Sequence, residues 1–405
     1  MNVRRSAAAL AAAAVIGAAA PALAASPSPT PSVAIPDGLY GTADPTYDGV
    51  WRQSLALLAQ DTAGVVPADR AVAWLTGQQC ANGAFAAFRA DPAKPCDAKL
   101  MVDTNSTAAA VQALTALGGH AAETGKAVTW LKSVQNADGG WGYNPGGASD
   151  ANSTAVVTGA LVAAGERPER VVKGGKSPYD ALLTFALPCT GDGAGAFAYQ
   201  PDKQGKLTAN ADATAAAVLG ALGQPLNASA EKAAASASGC AAPATPEQAA
   251  RNGARYLSTA LAKDHHLVSA LPGAENQPDY GNTADAVVAL AAAGHADEAT
   301  AALRWLEADA PQWAARSGPA AYAQLVLAAH ATGTDPRAFG STDLVRLLDA
   351  TGPAPKQTAT KKPEASDTSD DGSSTTLWVT VGAVVLVVLV AAALFLARAR
   401  RRRQP

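Results

Sequence analysis

The sequence predicts an all-α protein, a closed (α/α)6 toroid of six helical hairpins, on three observations. Four Ala/Val/Leu-rich runs open with closely similar stretches, Asp103–Ala108, Asp150–Ala155, Asn210–Ala215 and Asp279–Ala284, and stop at Gly118, Gly165, Gly223 and Gly294. Asp, Asn, Ser and Thr satisfy the free amides at a helix start and glycine ends a helix, so each run is a helix with both stops written in. The segment Arg70–Phe85 recurs 56 residues later as Lys126–Trp141, pairing Trp74 with Trp130, Gln79 with Gln135 and Phe85 with Trp141. A regular period of this length is the mark of a helical repeat. Between the alanine-rich runs lie helices that carry charge and an aromatic-leucine pair, such as Trp74-Leu75 and Trp130-Leu131.

In chain order the expected helices are 46–64, 67–79, 104–118, 122–135, 151–165, 177–187, 211–223, 246–263, 282–294, 296–315, 318–332 and 339–350. The small-residue helices pack closely as an inner ring and the charged, tryptophan-bearing ones form an outer ring. If the first hairpin meets the last, no repeat end is left exposed.

Outside this body, residues 1–24 read as a secretory signal peptide: Arg4 and Arg5, an apolar run, then Ala22-Leu23-Ala24. Residues 25–45 read as a short stalk and 353–376, rich in Pro, Ser, Thr and charge, as a disordered tether. Residues 377–397 are apolar and long enough to span a bilayer, and 398–405 is a basic cytoplasmic tail. The expected location is therefore the cell membrane, single-pass, with the toroid at 46–352 extracytoplasmic. Seven of the 31 bases lie in the signal and tail, leaving 24 against 34 acids elsewhere. That acidic balance disfavours nucleic acid as a partner. Four cysteines in an exported chain suggest two disulfides; Cys80 with Cys96 and Cys189 with Cys240 are favoured because each pair brackets a predicted loop.

The motif Lys126-x3-Trp-Leu-x3-Gln135-x3-Gly-x-Trp141 resembles the repeat of squalene-hopene cyclases, and Asp138-Gly-Gly-Trp-Gly-Tyr143 with its Thr-Ala helix start resembles that of protein prenyltransferase β subunits. The chain thus resembles the prenyltransferase/squalene oxidase repeat proteins, a group whose α/α toroid is shared by the transcobalamin-like corrinoid carriers and complement thioester domains. The resemblance implies a structural role for Trp74, Gln79, Phe85, Trp130, Gln135 and Trp141, with the glutamine tying a helix end to its neighbour and the last aromatic packing beneath the loop.

It does not carry the chemistry across. A cyclase places an aspartate acid in D-x-D-D-T-A, and the two clearest copies here hold Asn105 and Asn152 there. Asp212 is an acid at that place, but Ala213 stands where its partner carboxylate belongs. The aspartate-x-cysteine zinc pair of the prenyltransferases is missing, and no His spacing suggests a metal. The expectation is therefore no metal, no cofactor and no catalytic residue, with an enzyme disfavoured.

In a toroid the inner helices run parallel, so their starts gather at one mouth. The candidate ligand-binding rim is Asp103, Asn105, Asp150, Asn152, Asn210, Asp212, Asp279 and Asn282, with Tyr143 and Tyr199 beside it. Amides and carboxylates in one rim suit a small molecule such as a corrinoid or an isoprenoid. The leading expectation is a non-catalytic, membrane-anchored ligand-binding module. A cell-surface protein-interaction platform and a terpene cyclase-type enzyme are the alternatives, and a membrane transporter or envelope protein is the expected protein partner.

Overall fold

The computed structural model describes residues 34–231, 239–269 and 275–358. The expected signal peptide, transmembrane helix and basic tail lie outside the described residues. Among those described, no helix is long and apolar enough to cross a membrane.

All twelve expected helices form: α1 (Gly49–Thr62), α2 (Asp69–Gly77), α3 (Thr104–Leu117), α4 (Ala121–Ser133), α5 (Ala151–Ala163), α6 (Pro178–Thr184), α7 (Ala211–Ala221), α8 (Pro246–Leu261), α9 (Tyr280–Ala292), α10 (Ala296–Ser317), α11 (Pro319–Ala331) and α12 (Leu344–Asp349). The odd-numbered helices touch in cyclic order, α1 to α3, α5, α7, α9, α11 and back to α1, while the even-numbered helices pack outside them. The inner helices are Ala/Val/Leu-rich and buried nearly all round, as a helix enclosed on every side must be. Helix α6 is shorter than expected, because from Phe185 the chain leaves the helix and bridges to the segment around Phe197. Helix α12 is shorter too, since Phe339 and Thr342 bond to each other in a tight bridge and Asp343 caps the helix that follows. Among the described residues, two small two-stranded pairings accompany the helices, β1 (Val65–Val66) with β4 (Gln357–Thr358) and β2 (Leu267–Val268) with β3 (Pro278–Asp279).

The segment expected to be a stalk is partly a structural seal. Tyr40 is fully buried; its amide donates to Gln53 Oε1 at 2.8 Å and its hydroxyl to Gln60 Oε1 at 2.9 Å. Gln60 Nε2 in turn donates to Asp349 Oδ1 of α12 at 2.6 Å, and Gly41 N–H donates to Thr351 O at 2.8 Å. Residues 38–41 therefore fasten the first helix pair to the last. Burial holds the Tyr40 phenol up to about 12. The opening of the expected tether is likewise folded, with Lys356 N–H bonded to Val66 O at 2.9 Å.

The repeat motif explains how the rings are joined. Gln79 Nε2 donates to Gly83 O at 3.0 Å and to Glu123 O of α4 at 2.8 Å; Gln135 Nε2 donates to Gly139 O at 2.8 Å and to Val171 O at 3.0 Å. Each glutamine thus ties its own loop to the next outer element. Gly83 and Gly139 have φ of 97° and 89°, and a Cβ on either would lie 2.3 or 2.2 Å from a backbone oxygen of that element. Only glycine fits there. Phe85 and Trp141 are fully buried, and Trp141 Nε1 donates to Leu131 O at 2.8 Å. Both cysteine pairs, Cys80–Cys96 and Cys189–Cys240, are disulfides.

From each loop the chain enters an inner helix through a repeated latch. The amides of Phe85, Trp141, Phe197 and Leu267 donate to the hydroxyls of Thr107, Thr154, Thr214 and Thr283 at 3.0, 3.1, 2.9 and 2.9 Å. Replacing Thr154 by Val leaves the buried Trp141 amide without its acceptor and should cost about 1–3 kcal/mol. Thr129→Val, on the exposed face of α4, should change stability by less than about 0.5 kcal/mol. Urea unfolding of the full chain checks the contrast.

Candidate functional site

The first two turns of the inner helices converge on one cavity. Trp51 and Leu55 of α1, Asn105 of α3, Asn152 of α5, Asp212 of α7, Asp285 of α9 and Gln324 of α11 all line it, so every inner helix contributes. Its volume is about 190 Å³. Seven residues beyond Asp212 on the same helix, about 10 Å deeper at 1.5 Å per residue, Leu219 lines the cavity together with Leu226, Val288 and Leu327. The throat is polar at its mouth and apolar below.

The helix starts divide the predicted rim residues into two groups. Asp103, Asp150, Asn210 and Asp279 are N-caps: their side chains accept from the amides of Ser106, Ser153, Ala213 and Asn282 at 2.6, 2.7, 2.8 and 3.1 Å. Asp103 and Asp150 are buried in that role, and burial raises both carboxyls above the ordinary aspartate value. Two positions later, Asn105, Asn152 and Asp212 point into the throat. Asn210, Asp212, Asp279 and Asn282 also line a second, larger cavity of about 610 Å³, bounded by Tyr256, Asp264 and His266, which shares Asp212 with the throat. Tyr143 and Tyr199 line neither cavity. Their backbone carbonyls cap inner helices instead, accepting from Thr104 N–H and Ala151 N–H at 3.0 Å each.

At the centre are two carboxyl groups. Asn152 Nδ2 donates to Asp212 Oδ2 at 2.9 Å, and Gln324 Nε2 reaches both oxygens of Asp285 at 3.3 and 3.1 Å. What surface Asp285 retains faces the cavity, and packed protein surrounds the rest. Burial, then the charge of Asp212, pushes the Asp285 carboxyl up to about 7, against a smaller opposing effect of Gln324. Burial also raises Asp212, opposed by the Asn152 hydrogen bond and reinforced by the charges of Asp279 and Asp150. The charge of Asp212 helps hold the proton on Asp285.

Sequence reasoning missed Asp285, Gln324 and Trp51. The signal for Asp285 was present. Gly281 occupies the place that Asn105, Asn152 and Asp212 hold in the other runs, and Asp285 lies four residues on, one turn deeper on the same face. An acid inside an Ala/Val run is a polar group with no outward face to occupy. At the outer edge, His266 packs at a tilt on Trp305 with ring centroids 4.5 Å apart, and Tyr280 stacks between Trp305 and Trp313 at 4.9 and 5.5 Å. This aromatic row fixes the start of α9 against α10.

The class of protein this architecture defines is an α/α toroid with a small acid-bearing cavity at its axis. No family model and no curated protein matches the chain. Among solved structures it is similar to a crystal structure of a protein from Actinoplanes, at 17% identity over 68% of this chain and 75% of that one, with a TM-score of 0.44. It is also similar to ent-copalyl diphosphate synthase from Streptomyces platensis, at 15% identity over 70% of this chain, with a TM-score of 0.45. The match spans half of that synthase's length.

The carboxyl pair makes stability pH-dependent. A carboxyl raised from 3.8 to about 7 keeps its proton in the folded state where the unfolded chain has lost it. Folding stability therefore falls as pH rises across that window, by at most about 1.4 kcal/mol per unit, and is level above it. The melting temperature of the full chain should drop between pH 5 and pH 8, and Asp285→Asn should remove part of that drop.

Proposed function

We propose that the protein is a small-molecule capture module, taking a compact ligand with an apolar body and a polar head into the axial throat. The observation that carries this reading is that all six inner helices bring side chains to one cavity, polar at the mouth and apolar below. A fold that needed only to pack its axis would close it with leucine or phenylalanine. Here the axis carries Asn105, Asn152, Asp212, Asp285 and Gln324 instead.

At about 190 Å³ the throat falls below the ~300–1,000 Å³ of drug-sized sites. A corrin macrocycle is too large to enter it, whereas a short branched hydrocarbon group fits. The rest of a larger ligand would lie in the 610 Å³ vestibule, where Asn210, Asp279 and Asn282 offer hydrogen bonds. The two disulfides suit an oxidising, extracytoplasmic compartment. With the apolar segment at 377–397 as an anchor, capture would take place at the outer face of the membrane, beside a transporter or other envelope protein that receives the ligand.

One observation favours the alternative of an acid-base enzyme: a carboxyl near neutrality beside an ionised one can give or take a proton at physiological pH. The two readings differ in outcome, since a captured molecule leaves unchanged and a substrate does not.

Native mass spectrometry of the full chain purified from an exporting host decides between them. Capture predicts a discrete mass excess that disappears on denaturation and is recovered as one unaltered compound. Ala216→Phe, which fills the throat from α7, should abolish the excess while the chain still folds. Bare protein from the same host under several growth conditions would contradict capture, and a compound converted on incubation would favour the enzyme.

A further inference from the structure

The throat holds acids with no base to balance them. Among the described residues, the linings of the throat and vestibule include Asp212, Asp264, Asp279 and Asp285 and no Lys or Arg, with His266 at the vestibule's edge. The converging helix starts supply some positive field, about half a charge each. Asp103, Asp150 and Asp279 already sit on three of those starts as caps. A desolvated carboxylate pair is costly unless a positive group joins it.

Hydrogen bonding indicates the same deficit. The donors Asn152 Nδ2 and Gln324 Nε2 are committed to Asp212 and Asp285. Asn152 Oδ1 is left buried in the cavity wall with no partner. The site has acceptors in hand and lacks a donor that carries positive charge. Trp51 adds an electron-rich aromatic surface to the same wall, of the kind that attracts cations. A metal ion fits less well, because among the described residues no group of three or more His, Cys, Asp or Glu side chains is placed to share one. The leucines beneath require a hydrocarbon body.

Resting on the capture reading above, we propose that the ligand is a small organic ammonium ion, its N–H groups held by Asp212 and Asp285 and its hydrocarbon body in the throat. The groups that share the throat wall with Asp285 from the packed helices are Asp212 of α7 and the uncharged Gln324, Asn152, Asn105 and Trp51 of α11, α5, α3 and α1, and from its own helix the charge of the cap Asp279 also acts on it. None of these is a cation, so the ammonium ion is the group that draws the proton off Asp285. Binding therefore releases a proton and weakens in acid.

Isothermal titration of the full chain with cyclohexylammonium, cyclohexanol and cyclohexanecarboxylate tests this. At pH 8 the ammonium ion should bind roughly tenfold or more tightly than the alcohol, the carboxylate should not bind, and ammonium affinity should fall at pH 5. Asp285→Asn should remove the preference for ammonium while the alcohol still binds, and Asp212→Asn is the second variant should the first misfold. Equal or tighter binding of the alcohol would overturn the cationic head and leave capture standing. Binding of none of the three would also overturn it, and capture would then rest on the co-purified mass alone. Displacement of ammonium by micromolar calcium chloride would overturn it in favour of a metal ion.

Discussion

Everything at the mouth depends on one repeated backbone interaction. Each loop leaving an outer helix pairs with the start of the inner helix it enters: Asp103, Asp150 and Asn210 donate their amides to the carbonyls of Phe85, Trp141 and Phe197, and a threonine one turn on accepts the amide in return. In the fourth repeat the same contact is a strand pairing, Leu267 with Asp279. The loops also reach backward. Carbonyls of Ala87, Tyr143 and Tyr199 cap the first turns of α1, α3 and α5, each the inner helix before the one its loop enters. A loop bonded to two successive inner helices fixes their relative height. That is why Asn105, Asn152 and Asp212, each two residues past its cap, arrive at one level.

The latch also separates residues that the sequence presents as alike. Asp103 and Asn105 are two apart in the same motif, yet the first is turned into its own helix and the second into the throat. Residues at the cap must face the amides they satisfy, whereas the residue two further on lies across the helix and faces the axis. The twelve helices and the inner and outer rings were legible because they rest on local signals, caps, glycines and a fixed period; the disulfides followed from cysteines that bracket loops, and the tie made by Gln79 and Gln135 from the resemblance to the cyclase repeat. The throat was legible only in part. Asp212, Asn105 and Asn152 carry a motif, but Asp285 and Gln324 meet through helix packing that no stretch of sequence records. Tyr40 was missed for a similar reason, since its partners Gln53, Gln60 and Pro353 become neighbours only when the ring closes.

The site is expensive for the fold. Packing the axis with aliphatic side chains would remove the desolvation of Asp212 and Asp285 and the unpartnered oxygen of Asn152. Proteins retain such groups where a ligand or a reaction uses them, and the rest of this ring is alanine-rich, close-packed and doubly stitched at each loop. The rigidity of the scaffold is what allows the acids to stay desolvated instead of turning outward to water.

The most direct test of this account is a carbon-13 NMR titration of the aspartate side-chain carboxyls in the full chain, with the Asp285 resonance assigned by its loss in Asp285→Asn. A midpoint near 7 is the result predicted for an acid that burial and the neighbouring Asp212 charge hold in its protonated form. A midpoint near the ordinary value of 3.8 would mean that water reaches Asp285 freely, and the throat would then be an open channel rather than a binding cavity.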